Sequence, residues 1–113
     1  MGKKKDLEKQ SFAVIGLGKF GSSVAMELAA AGAQVLAIDR DEERVSDIAD
    51  HVTYAVRADV CDGKVMASLG ISNMDAVIVA ITGSLDASIM ASIMAKEAGV
   101  PLVIAKAKED MHA

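Results

Sequence analysis

A glycine-rich turn between an apolar run and an alanine-rich stretch is the feature that most constrains how this chain folds. Residues 12–15 have the pattern of a buried strand, and residues 22–31 have that of a helix. Between them lie Gly16, Leu17, Gly18, Lys19, Phe20 and Gly21. In this order of elements, a G-x-G-x-x-G sequence binds nucleotide phosphates, because the N–H groups at the helix start attract anions. The alternative is a tight strand–helix turn without a ligand.

Short β-rich runs alternate with helical patterns along the rest of the chain, which favours a parallel sheet with helices on its faces. Strands are predicted at residues 12–16, 34–39, 53–57, 76–80 and 102–106. Helices are predicted at residues 22–31, from Asp41 onward, at 64–69 and at 85–98. Right-handed crossovers then predict a Rossmann-like, doubly wound α/β fold in three α/β/α layers, with strand order 3-2-1-4-5.

The length of 113 residues and an apolar content of 52% predict one folded domain. We expect residues 1–10, which include three consecutive lysines, to form a flexible tail, and residues 11–113 to form the domain. The sixth strand of a complete doubly wound fold has no counterpart in the sequence. We therefore expect the chain to be a fragment of a longer protein.

Composition and charge argue against several function classes. The net charge of −4 and the aromatic content of 3% offer neither a basic surface nor a stacking platform for nucleic acid. Direct membrane insertion is not expected, because no apolar run approaches the ~20 residues of a membrane span. The single Cys61 suits a reducing cytoplasm. His51 and His112 lack metal-ligand spacing, and no catalytic motif is present, so we expect neither a metal site nor an enzyme.

Ligands of open α/β sheets bind at the carboxyl ends of the strands, where the strand order reverses. Asp39 ends the second predicted strand and is placed to accept hydrogen bonds from a ribose diol, which disfavours the 2′-phosphate of NADP; a turn-capping role is the alternative. Asp59, after the third strand, either accepts from an adenine amine or caps the next helix. The same edge collects Arg40, Asp41, Val60, Ile81, Thr82, Gly83 and Lys106.

Lys19 is placed at the start of the first helix, where a positive charge opposes the helix dipole. A bound polyphosphate would reverse the sign of that interaction. We therefore predict that Lys19 contacts phosphate, with an ordinary surface lysine as the alternative.

The predicted helix at residues 85–98 is apolar around most of its circumference. Only one row of side chains is clearly polar, namely Ser84, Ser88, Ser92 and Lys96. A helix of this kind is usually covered on more than one side. We expect it to contact another subunit; burial within one subunit is the alternative.

Several segments together resemble the N-terminal nucleotide-binding domain of RCK (regulator of K⁺ conductance, or KTN) proteins, above all the regulatory subunits of bacterial Ktr and Trk potassium uptake systems. The resemblance covers residues 10–113. The segments that carry it are the glycine turn at 16–21, Asp39, Ala58-Asp59, residues 77–81 and Ile104-Ala105-Lys106-Ala107.

The resemblance implies a cytoplasmic regulator. Proteins of this family form homo-oligomers, with a dimer as building block and commonly an octameric ring, beneath a membrane-embedded K⁺ translocating subunit. They bind ATP or ADP; NAD(H) and AMP are the alternatives here. Lys19 would face the terminal phosphates, where relatives use an arginine, and it lacks the guanidinium fork. Asp39 would bind ribose between Arg40 and Asp41.

The resemblance also implies that Asp59-Val60 and residues 81–83 frame the adenine. Lys106 and His112 would lie near the phosphates or a neighbouring subunit. Two other functions fit the residues: the cofactor domain of an NAD-dependent dehydrogenase without its catalytic domain, and an assembly scaffold that senses no ligand. Ligand-induced stabilisation would exclude the scaffold, and a downstream catalytic domain would favour the dehydrogenase.

Overall fold

The computed structural model describes residues 10–106, so most of the predicted tail and His112 lie outside the described residues. The strands are β1 Ser11–Ile15, β2 Gln34–Asp39, β3 Tyr54–Arg57, β4 Ala76–Val79 and β5 Leu102–Ala105. The helices are α1 Lys19–Ala30, α2 Glu42–Ile48, α3 Gly63–Ser68 and α4 Leu85–Glu97, and two 3₁₀ turns span Ala49–His51 and Ile71–Asn73.

All five strands are parallel and lie in the order β3-β2-β1-β4-β5. In the central register, Ala13 of β1 pairs with Leu36 of β2 on one side and with Val77 of β4 on the other. The predicted doubly wound α/β fold is therefore confirmed. The strand order reverses between β1 and β4, next to the glycine turn.

Alternate side chains of the central strands enter two separate cores, because successive strand residues point to opposite faces of the sheet. Val14, Val35 and Ala37 pack with Ala25 of α1 and with the buried side of α2. The intervening residues pack with α3 and α4 on the other face; they are Ala13, Ile15, Leu36, Ile38, Val77 and Val79. Burial on both faces explains why these strands are nearly continuous apolar runs.

The loops that begin the helices are stabilised by short polar side chains. The Asp41 carboxylate accepts a hydrogen bond from the N–H of Glu43 at 2.9 Å, which confirms the predicted start of α2. Ser84 and Asp62 cap α4 and α3 in the same way. Within residues 10–106, α1 receives no side-chain cap, and its N-cap residue is Gly18. The first N–H groups of α1 are therefore left for another acceptor.

Helix α1 begins at Lys19, three residues before the alanine-rich pattern at residues 22–31, so Gly21 lies inside its first turn. Glycine is a poor helix former, which is why the pattern placed it in the turn. A Cβ atom built on Gly21 would lie 1.7 Å from the carbonyl oxygen of Gly16. Gly16 has φ +100°, and its own Cβ would lie 2.6 Å from the carbonyl oxygen of Ala80. The first and third glycines therefore let three backbone segments meet.

We predict that Gly21→Ala destabilises the fold by about 1–3 kcal/mol, because its methyl group overlaps backbone that cannot rotate away. An ordinary helical Gly→Ala change has the opposite sign, since alanine restricts the unfolded chain. Gly63→Ala is the matched control: apart from its chain neighbours and the backbone of its own helix, no described atom lies within 4 Å of its Cβ position. Urea unfolding of the two variants measures the difference, and equal stability would contradict the packing role of Gly21.

Candidate functional site

A cleft of about 450 Å³ opens at the carboxyl edge of the sheet, where the strand order reverses. Four loops line it, each following a different strand. They contribute residues 15–18 after β1, 38–41 with Arg44 after β2, 58–61 after β3, and 80–84 with Asp86 and Ala87 after β4. The topology therefore brings together polar residues that are far apart in the sequence.

Most of the predicted site residues meet in this cleft. They are Gly16, Leu17, Gly18, Asp39, Arg40, Asp41, Asp59, Val60, Ile81, Thr82 and Gly83. Within the part of the chain that the structure describes, Lys19, Phe20, Gly21 and Lys106 do not line it. Gly21 is packed beneath Gly16, whereas Lys19 and Phe20 are exposed on the first turn of α1.

Lys106 lies at an adjacent groove between α4 and β5. Its ammonium nitrogen is 5.1 Å from the centroid of the Phe20 ring, the distance of a cation–π contact. Strand-end position predicted that Lys106 lies at the rim, but the contact with Phe20 turns it to the neighbouring surface. Its predicted proximity to phosphate remains a prediction.

The Asp39 carboxylate joins two of the loops. Its Oδ2 atom accepts a hydrogen bond from the N–H of Leu17 at 2.7 Å, and its Oδ1 atom accepts one from the N–H of Asp41 at 2.8 Å. The side chain is only 9% exposed. Each carboxylate oxygen has a second lone-pair site, so Asp39 can still accept from a ribose hydroxyl. Asp39 therefore caps the two turns, as the alternative expectation stated. The same carboxylate can also bind a ribose.

Gly18 presents its open side to the cleft. The nearest atoms to a Cβ built there are Nη1 of Arg44 at 3.9 Å and Oγ1 of Thr82 at 4.0 Å. The backbone is extended at this residue, with φ −73°, so alanine would fit without strain. At Gly18 the missing side chain leaves room for a ligand to approach the backbone from the cleft. At Gly16 and Gly21 a side chain would overlap neighbouring backbone.

Asp59 does not cap α3, so that alternative was wrong. Its Oδ1 atom accepts a hydrogen bond from the N–H of Cys61 at 2.9 Å, which closes a local turn, and the cap is Asp62. Asp59 therefore holds the loop that lines the cleft beside Val60.

Arg44 is a lining residue that sequence reasoning missed. It lies in the first turn of α2 and directs its guanidinium back toward Asp39 and Asp41, at 3.8 and 3.9 Å from their Oδ2 atoms. The i,i+3 spacing from Asp41 was the available signal. Cys61, Ser84 and Asp86 also line the cleft without having been predicted as site residues.

Neither a metal cluster nor a membrane-spanning helix is found among residues 10–106. No three His, Cys, Asp or Glu side chains of this region are grouped so that they can hold an ion. No helix of the same region is long and apolar enough to cross a bilayer.

Comparison with known proteins shows that the chain is similar to potassium uptake proteins. Residues 12–113 match the model of the TrkA-N domain family. The chain is 43% identical over 104 residues to Ktr system potassium uptake protein C of Bacillus subtilis. It has the same identity over the same length to Ktr system potassium uptake protein A of Vibrio alginolyticus. Each alignment covers 92% of this chain and 47% of the relative, so the chain spans about half the length of these relatives.

A solved structure shares the fold. The NAD(P)-binding domain of an exopolyphosphatase-related protein from Archaeoglobus fulgidus superposes with a TM-score of 0.73 at 29% sequence identity. The match covers 91% of this chain and 77% of that one.

We predict that Gly18→Ala leaves the ligand-free fold intact and weakens adenine nucleotide binding by at least about tenfold, because its methyl group occupies the place a phosphate would take. Thermal unfolding and titration calorimetry with ADP measure the two effects. An unchanged ADP affinity would show that no phosphate approaches Gly18.

Proposed function

This chain belongs to the TrkA-N domain family, and we propose that it is the nucleotide-sensing domain of a K⁺ uptake regulator. The predicted RCK resemblance is confirmed by the family match and by the Ktr relatives. The predicted non-enzymatic character is confirmed by the same relatives, whose names describe potassium uptake. The dehydrogenase alternative has no relative of that kind among them.

One observation carries the proposal: the open side of Gly18 lies at the uncapped start of α1, in a cleft that Asp39 also lines. A helix start attracts phosphate, and a carboxylate one loop away accepts from sugar hydroxyls. The domain is of the NAD(P)-binding structural type, as its structural neighbour indicates. The specific ligand that we propose is an adenine nucleotide: ATP or ADP first, with NAD(H) or AMP as alternatives.

The proposed mechanism is a shift between two conformations of an assembly. A nucleotide changes such an equilibrium only by its differential affinity for the two states. ATP and ADP differ in charge at the phosphate end, close to the glycine turn, where the start of α1 faces the cleft. We therefore place the difference in affinity at this end of the site.

The proposed partners are other copies of the protein and a membrane-embedded K⁺ translocating subunit, which puts the domain in the cytoplasm. The relatives are named as components of Ktr uptake systems, which supports a transporter as partner. The exposed face of α4 supports self-association. Leu85, Ile89 and Ile93 lie one turn apart and are 75%, 48% and 50% exposed. The alternative expectation was that the helix is buried within one subunit. In the described part of the subunit this row of side chains is not buried.

We expect ADP and ATP to raise the thermal midpoint of the domain, NADH to raise it less, and NADPH least, since Asp39 repels a 2′-phosphate. A ligand that binds only the folded state at 100 times its Kd adds about 2.7 kcal/mol of stability. Gly18→Ala is the control for binding in the cleft. A midpoint unmoved by all four ligands would contradict nucleotide sensing and favour the scaffold.

We expect Ile89→Asp to dissociate the assembly, because a charge in a closed apolar contact is costly to bury. Sedimentation velocity should then show a smaller particle than the wild type. Met26→Asp is the matched control, since Met26 of α1 is 40% exposed on another helix. Equal masses for wild type and Ile89→Asp would exclude this face as the subunit contact.

A further inference from the structure

The guanidinium of Arg44 lies beside Gly18, the glycine of the turn whose Cβ position is not blocked by backbone. Nη1 of Arg44 is 3.9 Å from the point where a Cβ atom on Gly18 would be. The hydroxyl of Thr82 approaches the same point to 4.0 Å from the loop after β4. The uncapped start of α1 begins directly after Gly18. Donors from three separate elements therefore converge on a single position.

The present partners of Arg44 hold it loosely. Its distances to the Asp39 and Asp41 carboxylates are 3.8 and 3.9 Å, about 1 Å longer than charge-assisted hydrogen bonds. The side chain is 51% exposed, and pairs of this kind in solvent contribute little to stability. Asp39 keeps its position without Arg44, because the N–H groups of Leu17 and Asp41 already bind it. The guanidinium can therefore turn without disturbing the loops.

Resting on the proposed function, we infer that Arg44 is a specificity-determining residue that binds the nucleotide phosphate lying over Gly18. A phosphate oxygen at the Cβ point needs a movement of only about 1 Å by Nη1 to reach hydrogen-bond distance. The planar fork of arginine matches two phosphate oxygens, which the ammonium of a lysine cannot do. The hydroxyl of Thr82 is the second side-chain donor to the same group.

The movement also changes the ribose side of the cleft. In the structure Arg44 is the cation nearest to Asp39 among the described ion pairs. When the guanidinium turns to a phosphate, the Asp39 carboxylate loses that neighbour and accepts more strongly from ribose hydroxyls. A phosphate and a ribose on one ligand therefore assist each other, and the site selects phosphorylated nucleosides over nucleosides.

The test is calorimetric titration of ADP into the wild type, Arg44→Ala, Arg44→Lys and Lys64→Ala. Lys64 is an exposed cation outside the cleft lining and controls for the loss of one charge. We expect Arg44→Ala to raise the Kd for ADP about 10- to 100-fold, as for a lost hydrogen bond between charged groups. Arg44→Lys should recover part of this loss, and Lys64→Ala should stay within about twofold of the wild type.

Two further variants sharpen the result. Thr82→Val, which keeps the shape and removes the hydroxyl, should weaken ADP binding a few-fold. Lys19→Ala should have a smaller effect on ADP than Arg44→Ala, since Lys19 does not line the described cleft. Ligand-free thermal midpoints of all variants should agree with the wild type, because these side chains are exposed and weakly paired.

The outcomes separate this inference from the proposed function. Wild-type protein that binds none of ATP, ADP, AMP and NADH overturns both. Wild-type binding with an Arg44→Ala affinity equal to that of Lys64→Ala overturns the role of Arg44 alone. The role of Arg44 is also overturned if Arg44→Ala weakens adenosine binding as much as it weakens ADP binding, because Arg44 would then contact the nucleoside. A large loss for ADP that Arg44→Lys only partly recovers supports the inference.

Discussion

The close approach of α1 to the turn after β1 is the constraint on which the site depends. Gly21 lies against the carbonyl of Gly16, and Gly16 lies against the backbone at Ala80, so three segments meet with no intervening side chain. This contact sets the direction of α1 and brings its first turn to the edge of the sheet. A helix start that stood one side chain farther out would not border the cleft. The packing of Gly16 and Gly21 is therefore what brings the start of α1 to the cleft.

The Asp39 carboxylate has a second organising role. It ends β2, yet it binds the N–H of Leu17 in the glycine turn and the N–H of Asp41 at the start of α2. One side chain thus keeps two lining loops in register. The carboxylate that organises these two loops is also the group that we propose accepts from ribose hydroxyls. A change at Asp39 would alter the shape of the glycine turn as well as any ribose contact, so Arg44 and Gly18 separate the two effects better.

Much of the fold could be predicted from the sequence because its signals are local. Apolar runs marked the strands, and Gly32, Gly70 and Gly99 all have the positive φ expected after helices. The strand order then followed from the handedness of crossovers. The alanine-rich pattern shows α1 only from residue 22, because the poor helix propensity of Gly21 hides the first turn of the helix.

The site residues that follow strands could be predicted from the sequence. A site residue on a helix could not, because its direction depends on how the helix is turned against the sheet. Asp39, Asp59 and Thr82 follow strands directly, and topology alone brings them to one edge. Arg44 lies within α2, and only the angle of that helix turns its guanidinium over Gly18. Lys106 also follows a strand, but its contact with Phe20 draws it to the adjacent groove.

We expect the distribution of charge in the cleft to favour one orientation of the proposed nucleotide. The lining carboxylates are Asp39, Asp41, Asp59 and Asp86, whereas its cations are Arg40 and Arg44. Such a cleft repels an anion over most of its surface and attracts one beside Gly18, where the helix start and Arg44 meet. The carboxylates suit hydrogen-bond donors, and a nucleoside supplies these as sugar hydroxyls and the adenine amine. A ligand with its phosphate at the glycine turn and its nucleoside toward β2 and β3 matches this pattern, and the reverse orientation places anion against carboxylate.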